Sequence, residues 1–347
     1  MRVGIATVYT PGIRGGAEFL ADGLAEAVRA AGHSLHLIRL PFFFDPPAAA
    51  GETMDRAAAL DFSRYGGGQI DRLICLKFPA YLIDHPKKSV WLLHQHRSAY
   101  DLYGGRYGWQ KGRADTDALR DRIIAADNAG LGDVPVYTIA ARVSQRLNDF
   151  NGIASTPLYH PPADEHAFHC ARALPYIFAP SRLEALKRQD LLLRAIAACR
   201  TPVQAIFAGA GSMQPQLERL AGELGIRDRV RFLGEISRAE MIELYANALG
   251  VFFGPLDEDY GYVTLEAMLS QKPVVTCTDS GGPLEFVIDG ETGIVCAPEA
   301  QAVAAALEDL AADPARAAEL GRAGRARYDT MGIGWDHVVS ALLAEGA

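Results

Sequence analysis

Short apolar runs rich in valine, isoleucine and leucine alternate along the chain with longer stretches in which apolar residues recur every three or four positions. The first pattern is typical of buried parallel strands, and the second of helices that cover the faces of a sheet. The alternation therefore predicts an α/β chain built from repeated strand–helix–strand units. The runs predicted as strands are 2–7, 34–40, 71–77, 89–93, 134–139, 176–179, 203–208, 230–233, 249–254, 273–276 and 293–296.

This pattern is interrupted by a proline-containing stretch from Tyr159 to Asp164. Proline continues neither a helix interior nor a central strand, so we place a linker between two domains here. The predicted domains are 1–162 and 163–330, and a last helix within 331–347 is expected to pack back on the first domain. Open parallel sheets bind ligands beyond the carboxyl ends of their strands. Functional residues are therefore expected in the loops that follow strands, on either side of a cleft between the domains.

Size and charge limit the classes of partner. The chain has 347 residues, of which 49% are hydrophobic, and this is enough for two cores of ordinary size. Its formal net charge is -8, with acidic and basic residues interspersed. Nucleic acid is not expected as a partner, because the chain has no basic stripe that would follow a phosphate backbone.

The five cysteines are scattered and none forms a CxxC motif, so we expect buried thiols in a reducing compartment. The chain enters its first predicted strand directly at the N-terminus, without the apolar stretch of a signal peptide. No run is apolar enough to span a bilayer. The sequence therefore predicts a cytoplasmic protein, and a peripheral contact with the inner face of a membrane is left open.

An acidic turn joins the predicted strand 249–254 to the helix that follows. Glu258 lies in that turn, and Glu266, with seven residues between them, lies in the first turns of the helix if the helix begins near Tyr262. Acidic residues suit helix N-termini without any further role. Two of them on either side of Gly261, directly after a strand, favour a binding site instead.

Two cations follow the first strand of the second domain. Lys187 and Arg188 lie where the next helix, which is predicted to end near Cys199, begins. Cations are disfavoured there because the N-terminal end of a helix carries partial positive charge. A bound anion would resolve that conflict, and solvated surface charge is the alternative interpretation.

A family resemblance rests on Glu258, Gly261, Glu266 and Ala267, which match the E-x7-E signature of family 4 of the retaining glycosyltransferases. The likeness runs from Gly15 to Trp335. It implies the GT-B fold, in which two Rossmann-like doubly wound domains face each other across a cleft, with an acceptor domain first and a nucleotide-sugar donor domain second. It also implies a retaining hexosyltransferase that needs neither metal nor cofactor and takes a nucleotide-diphosphate sugar of the UDP or GDP type.

The resemblance assigns residues in the donor domain. Glu258 is expected to be catalytic at the donor sugar, and Glu266 is expected to bind the ribose. Arg182 and Lys187 are spaced like the cations that neutralise the leaving diphosphate in the family, although the family commonly has glycine where Arg188 stands. Further donor contacts are expected from the turn and helix-start residues Gly209, Gly261, Tyr262, Val263, Thr264 and Leu265. The backbone N–H groups near Val263 to Leu265 are expected to face the diphosphate.

The first domain is expected to supply a glycine loop and a histidine. Gly15 and Gly16 resemble the family's GG-x-E loop near the donor phosphates and the acceptor, and paired glycines permit positive φ and a close approach of backbone to ligand. A histidine at the end of the corresponding strand contacts the donor sugar in the family, and this makes His94 the candidate catalytic residue. The candidate acceptor-binding residues are His96, Arg97, Tyr100 and Asp101, with Lys111 as a further candidate.

Three short patterns receive other interpretations. Asp257-Glu-Asp259 and Asp115-Thr-Asp117 both read D-x-D, a metal-binding signature of another glycosyltransferase fold, but so short a pattern is common by chance. No metal site is therefore predicted. Gly209-Ala-Gly211 follows a strand, yet Gln214 breaks the G-x-G-x-x-G fingerprint of dinucleotide binding, so an NAD oxidoreductase is disfavoured.

The function expected from the sequence is sugar transfer to the hydroxyl of a glycan or glycolipid acceptor, in bacterial surface polysaccharide or glycolipid synthesis. Two alternatives remain open at this point. One is a nucleotide-sugar epimerase of the same architecture. The other is a two-domain sugar-binding protein without chemistry.

Overall fold

The computed structural model describes residues 1–12, 15–65 and 68–344. The chain forms two compact units. Unit 1 comprises Met1–His160 together with the segment that begins at Gly334, and unit 2 comprises Pro161–Ile333. None of the helices in the described ranges is long and apolar enough to cross a bilayer.

Unit 1 is built on a six-stranded parallel sheet. Its strands are β1 (Arg2–Tyr9), β2 (Ser34–Pro41), β5 (Arg72–Cys75), β6 (Lys88–Leu92), β7 (Val136–Thr138) and β8 (Thr156–Pro157), while β3 (Arg64–Tyr65) and β4 (Gly68–Gln69) form a separate antiparallel pair. The order is β2-β1-β5-β6-β7-β8. The sheet therefore changes direction between β1 and β5, and the loops after these strands flank that point.

Helices pack on the unit 1 sheet through apolar residues on one face of each helix. They are α1 (Gly16–Ala30), α2 (Pro47–Ala58), α3 (Ala114–Leu131) and α4 (Ala141–Asn151). Leu20, Leu24 and Val28 recur at helical spacing on α1 and are fully buried. The central strands β1, β5 and β6 are buried almost throughout, as parallel strands covered on both sides require, whereas β2 at the edge of the sheet is partly exposed.

Unit 2 has the doubly wound strand order of a Rossmann fold. Its strands are β9 (Tyr176–Pro180), β10 (Gln204–Ala208), β11 (Val230–Phe232), β12 (Gly250–Phe252), β13 (Val274–Cys277) and β14 (Gly293–Cys296). Its helices are α5 (Gln189–Ala198), α6 (Gln214–Glu223), α7 (Arg238–Asn247), α8 (Tyr262–Leu269), α9 (Pro283–Phe286), α10 (Ala300–Ala312) and α11 (Pro314–Thr330). The parallel order β11-β10-β9-β12-β13-β14 puts the switch point between β9 and β12.

The last helix, α12 (Trp335–Leu343), packs on unit 1. The Ser89 hydroxyl donates to the Leu342 carbonyl at 3.1 Å. A Cβ atom on Gly23 of α1 would lie 2.4 Å from the Trp335 ring, so this glycine lets the helix and the indole approach closely. The prediction of two Rossmann-like parallel α/β domains is confirmed.

Candidate functional site

The two loops at the switch point of unit 2 bring a cation and a carboxylate together. Strands β9 and β12 are hydrogen-bonded neighbours, so the loops that follow them leave the same edge of the sheet side by side. Lys187 follows β9, Glu258 follows β12, and the lysine Nζ donates directly to Glu258 Oε2 although 71 residues separate them. Their side chains are 18% and 22% exposed, so the pair is partly accessible to solvent.

Arg188 adopts the conformation that a glycine usually takes, with φ of 51°. A residue with a side chain is disfavoured there by about 1–2 kcal/mol. Its guanidinium donates to the carbonyls of Gly254 at 2.7 Å and Pro255 at 2.8 Å, and forms a two-pronged ion pair with Asp279. These bonds tie the loop after β9 to the loops after β12 and β13, and they explain how arginine is accommodated at the family's glycine position.

Both cations at the start of α5 are matched by carboxylates of the protein itself. Lys187 ends a short 3₁₀ helix, Ala185–Lys187, and faces Glu258, while Arg188 precedes α5 and faces Asp279. The two cations at this helix N-terminus are therefore balanced within the protein, and a bound anion as their further partner stays a prediction. The conflict is resolved by two carboxylates from loops distant in sequence.

The acidic turn that holds Glu258 is fixed by backbone bonds to the loop after β13. The Glu258 N–H donates to the Ser280 carbonyl at 2.9 Å, and the Gly282 N–H donates to the Glu258 carbonyl at 2.8 Å. A Cβ atom on Gly281 would lie 2.5 Å from the Glu258 carbonyl oxygen. Only glycine fits there, and the close approach holds Glu258 in place.

Helix α8 begins at Tyr262, as predicted, after Gly261 with φ of 86°. The Thr264 N–H donates to the Gly261 carbonyl at 2.9 Å, and both Thr264 and Leu265 are fully buried. The Thr264 N–H is therefore engaged at the start of the helix, and donor contacts of the helix-start residues stay a prediction. Tyr262 and Val263 are the first two residues of the helix, at its N-terminal end.

Glu266 is held from two sides by one neighbouring helix. Its Oε1 accepts from Arg238 Nη1 at 2.7 Å, and its Oε2 accepts from the Tyr245 hydroxyl at 2.7 Å. Sequence reasoning missed both partners. The available signal was their spacing, since two helical turns along α7 bring both residues to one face of that helix.

Arg182 and Gly209 flank the same edge of the sheet. Within the described ranges the exposed Arg182 guanidinium forms no hydrogen bond or ion pair. It therefore does not contact Lys187, Glu258 or Glu266 in this structure. Gly209 has φ of 122°, and a Cβ atom there would lie 2.2 Å from the Ser181 carbonyl oxygen. Glycine is thus required where the loop after β10 rests on the loop after β9.

The glycine loop of unit 1 differs in detail from its prediction. Gly15 is extended, with φ of −157°, and precedes α1, whose first residue is Gly16. The positive φ expected of these glycines is therefore not used at Gly15. The Gly15 N–H donates to Glu18 Oε2 at 2.8 Å, and among the described residues a Cβ atom on Gly15 would meet only that carboxylate. The absence of a side chain at Gly15 thus leaves room for a ligand to approach the backbone. Residues 13 and 14 of this loop lie outside the described ranges.

The two histidines after β6 have different surroundings. His94 is half-buried, and its Nδ1 lies 2.6 Å from the Gln95 carbonyl. His96 is buried in a cluster of the aromatic side chains of Phe42, Phe44, Phe78 and Trp109. Burial, followed by the nearby charges of His94 and Lys77, lowers the pKa of His96 to about 4, so it is neutral at physiological pH.

The remaining acceptor candidates are engaged in structure. Arg97 and Asp101 form an ion pair at 2.6 Å, with 15% and 12% of their side chains exposed. The buried Tyr100 hydroxyl donates to Asp127 at 2.7 Å, and Asp127 also accepts from Tyr81. A hydroxyl enclosed in this way is not presented to an acceptor, so the structure does not support Tyr100 as an acceptor ligand. Lys111 is exposed.

The D-x-D patterns do not form metal sites within the described residues. Asp115 pairs with Arg113, and Asp117 accepts from the Tyr103 hydroxyl at 2.6 Å. Among the residues that the structure describes, no group of three or more histidine, cysteine, aspartate or glutamate side chains is arranged to hold a metal ion.

The two parallel sheets and the loops at their carboxyl ends define the class: the chain has the fold of GT-B glycosyltransferases. Sucrose-phosphate synthase from Thermosynechococcus elongatus superposes with a TM-score of 0.78 at 20% identity, over 98% of this chain and 96% of that one. WaaG, a glycosyltransferase involved in lipopolysaccharide biosynthesis, superposes with a TM-score of 0.67 at 16% identity, over 99% and 100%.

Sequence comparison places the similarity mainly in unit 2. Residues 171–327 match the family described as glycosyl transferases group 1. D-inositol 3-phosphate glycosyltransferase of Streptomyces avermitilis is 34% identical over 199 residues, which are 52% of this chain and 42% of that protein. The GDP-mannose-dependent alpha-(1-6)-phosphatidylinositol monomannoside mannosyltransferase of Mycolicibacterium smegmatis is 39% identical over 163 residues, 44% of this chain and 42% of that protein. The matched regions thus span less than half the length of these relatives.

Proposed function

We propose that this protein is a retaining glycosyltransferase that moves a hexosyl unit from a nucleotide-diphosphate sugar to an acceptor hydroxyl without a metal ion. The observation that carries the proposal is the contact between Lys187 and Glu258 at the switch point of unit 2. That position is where open α/β sheets bind ligands, and the two residues supply the charges that a leaving diphosphate and a developing sugar cation require.

The relatives guide the choice of substrates. One is named for GDP-mannose as donor and a phosphatidylinositol monomannoside as acceptor, and another for inositol 3-phosphate. A fold neighbour, HepE of Anabaena, was solved with UDP and glucose. We therefore propose a donor of the UDP or GDP type and a glycan or glycolipid acceptor. Such a reaction belongs to bacterial surface polysaccharide or glycolipid synthesis. A glycolipid acceptor would be bound at the face of a membrane.

The leaving diphosphate gains negative charge as the glycosidic bond breaks, so fixed cations aimed at it lower the barrier. Lys187 is the central group in this role, and the exposed Arg182 guanidinium is free to join it. The N–H groups of Tyr262 and Val263 at the start of α8 add partial positive charge. When the donor binds, its phosphate replaces Glu258 as the partner of Lys187.

That exchange releases Glu258 for the sugar. A carboxylate beside the ring orients its hydroxyl groups and stabilises the positive character that develops at the anomeric carbon. Attack by the acceptor on the face from which the diphosphate leaves gives retention, and a phosphate oxygen takes the acceptor proton. The turn of Gly209 and the Glu266 carboxylate then hold the nucleoside half of the donor.

Unit 1 contributes the remaining contacts in this proposal. The amides at Gly15 and Gly16 approach the donor phosphates, and His94 accepts or donates a hydrogen bond at the sugar. His96, Arg97, Tyr100 and Asp101 were predicted to bind the acceptor. The exchange of partners by Lys187 and Glu258 does not depend on which of these four contacts the acceptor directly.

The test is transfer of labelled hexose from UDP-, GDP- and ADP-sugars to inositol phosphate, phosphatidylinositol and lipid-linked saccharides, with linkage analysis of the product. We expect one nucleotide class to raise the melting temperature, and its sugar to be transferred with the donor's anomeric configuration in the presence of EDTA. A changed sugar nucleotide without acceptor would instead identify an epimerase, and binding without turnover would identify a sugar-binding protein.

A further inference from the structure

The Glu266 carboxylate is enclosed by a clamp of two side chains from α7, which we define as Arg238 and Tyr245. Each oxygen of the carboxylate accepts one hydrogen bond from the clamp, at 2.7 Å in both cases. The Glu266 side chain keeps 12% of its surface exposed. A carboxylate has about four lone-pair positions, so the clamp leaves two of them for a ligand on the exposed side.

Arg238 is itself fixed by further contacts. Its Nη2 donates to the Ala163 carbonyl at 2.6 Å, its Nε lies 3.4 Å from the Asp164 carboxylate, and its guanidinium carbon lies 4.9 Å from the centre of the Phe168 ring. These residues follow directly on the point where the chain enters unit 2. The planar fork of arginine therefore has one orientation available, and it presents Nη1 to Glu266.

Tyr245 is held with equal firmness. Its ring is fully buried and packs edge-on against Phe178, with ring centroids 5.0 Å apart, and against Phe168 at 5.8 Å. Burial, with the adjacent Glu266 carboxylate, raises the pKa of Tyr245 well above its usual value, so the hydroxyl keeps its proton and remains a donor. A buried donor of this kind needs its acceptor, and Glu266 is that acceptor.

We propose that Arg238 and Tyr245 are positioning residues that hold the Glu266 carboxylate in one rotamer and present its free lone pairs to the two ribose hydroxyls of the nucleotide donor. This inference rests on the proposed function, because it takes the ribose as the partner of Glu266. The clamp touches the nucleotide only through Glu266. Its loss therefore weakens the binding of a ribonucleotide and leaves the binding of a nucleotide without those hydroxyls unchanged.

The experiment measures dissociation constants by calorimetry for UDP and GDP and for the 2′,3′-dideoxy form of each, called the deoxy form below, which lacks both ribose hydroxyls. The variants are Glu266→Gln, Arg238→Gln, Arg238→Lys and Tyr245→Phe. Two matched controls remove similar groups elsewhere in unit 2: Tyr176→Phe loses a hydroxyl bond to the Leu244 carbonyl, and Arg316→Gln loses an exposed ion pair with Glu319.

We expect Arg238→Gln and Tyr245→Phe to weaken binding of the preferred ribonucleotide about tenfold, the size of one hydrogen bond to a charged group. Arg238→Lys keeps the charge without the fork and is expected to fall between. Binding of the deoxy forms should change by less than about twofold in all three variants, and the controls should match the wild type.

Two other results overturn parts of the argument separately. If Glu266→Gln loses the preference for ribose over deoxyribose while the clamp variants keep it, or if the clamp variants weaken ribose and deoxyribose forms equally, the positioning role is wrong. If the wild type binds ribose and deoxyribose forms equally, or binds neither UDP nor GDP, the donor assignment itself fails and the clamp inference fails with it.

Discussion

The ion pairs beside the candidate site residues of the two units differ in how far apart their members lie in sequence. In unit 2 the ion pairs at the switch point join loops that are distant in sequence, with 71 residues between Lys187 and Glu258 and 91 between Arg188 and Asp279. In unit 1 the corresponding charged pair, Arg97 and Asp101, lies within one turn of a single segment. The pairs of unit 2 form only when the fold brings distant loops together, whereas the pair of Arg97 and Asp101 forms within one turn of the chain.

This difference separates polar residues that a ligand can recruit from those that serve the fold. A partly exposed pair between two loops can exchange its partners when an anion arrives, because solvent and ligands reach it. A buried network, such as the one around Asp127, has no such freedom, since every partner lost leaves an unsatisfied polar group. Four changes test this comparison, and they are ordered by the size of the effect.

The largest effect is expected from Lys187→Ala and Glu258→Ala. Each should lower kcat for sugar transfer about a thousandfold, because one preorganised charge at a transition state is worth about 3–4 kcal/mol. The melting temperature should fall by only a few degrees, since the pair is partly exposed. Arg316→Ala, which removes an exposed cation of the same unit, serves as the control and should keep full activity. Near-normal turnover in either site variant would remove these residues from the mechanism.

The second change, Asp127→Asn, concerns the pH dependence of unit 1. Burial raises the pKa of Asp127 to about 7, despite the hydroxyl groups of Tyr100 and Tyr81 that favour its ionised form. A raised carboxyl pKa contributes stability below pH of about 4 that is lost as the pH rises through 7. Asparagine resembles the neutral acid, so the wild type should lose about 2 kcal/mol relative to the variant between pH 5 and 8.

Chemical denaturation at several pH values measures that difference. His96 changes stability in the opposite direction, because burial lowers its pKa to about 4 and stability is lost as the pH falls from about 6.5. Both proteins share this contribution, so it cancels in the comparison. Parallel stability curves for wild type and variant would show that Asp127 is ionised throughout.

The third change, Arg188→Gly, restores the residue that the conformation favours. Glycine adopts the φ of 51° without strain, so the variant should fold, but it loses the bonds to Gly254, Pro255 and Asp279. We expect kcat to fall about tenfold, the effect of about 1.4 kcal/mol, because Lys187 and Glu258 are no longer held at a fixed separation.

Arg188→Ala is the matched comparison for this position. It loses the same hydrogen bonds but keeps the unfavourable φ, so it should unfold about 1 kcal/mol more easily than the glycine variant while its kcat falls equally. Unchanged kcat in the glycine variant would show that the loops after β9 and β12 keep their positions without the arginine.

The smallest effect is expected from Tyr100→Phe. The variant loses one hydrogen bond to Asp127, so the free energy of unfolding should fall by about 1 kcal/mol. If the residue is structural, the KM for the acceptor that supports transfer should stay unchanged. A raised KM without a change in stability would return Tyr100 to the acceptor site.

Much of the fold was predictable because parallel strands that are buried on both faces leave long apolar runs. The last strand of unit 2 was predicted with its observed bounds, Gly293–Cys296. The two-residue strands β3, β4 and β8 were missed, since such short elements have no period of their own. The start of α8 at Tyr262 was predicted from Gly261, whose positive φ separates the acidic turn from the helix.

The site was predictable only in part. The motif singled out Glu258, Glu266 and Lys187, whereas the direct contact between Lys187 and Glu258 depends on the pairing of β9 with β12, which only the structure shows. In the sequence, Arg238 and Tyr245 are related only by their spacing of two helical turns. That spacing does not predict a clamp, because the sequence does not show that α7 lies beside Glu266. Tyr100 points inward because its hydroxyl donates to Asp127 on α3. Nothing in the sequence around Asp127 indicates that this carboxyl group is buried.

The return of α12 to unit 1 has a practical consequence for protein engineering. Unit 2 is one continuous segment, Pro161–Ile333, inserted into a unit whose own chain is split. A chimera that exchanges unit 2 for that of another protein therefore needs two junctions, at 160/161 and 333/334. A simple C-terminal truncation after Ile333 would instead remove Trp335 and Leu342, and it would expose the apolar surface of unit 1 against which they pack.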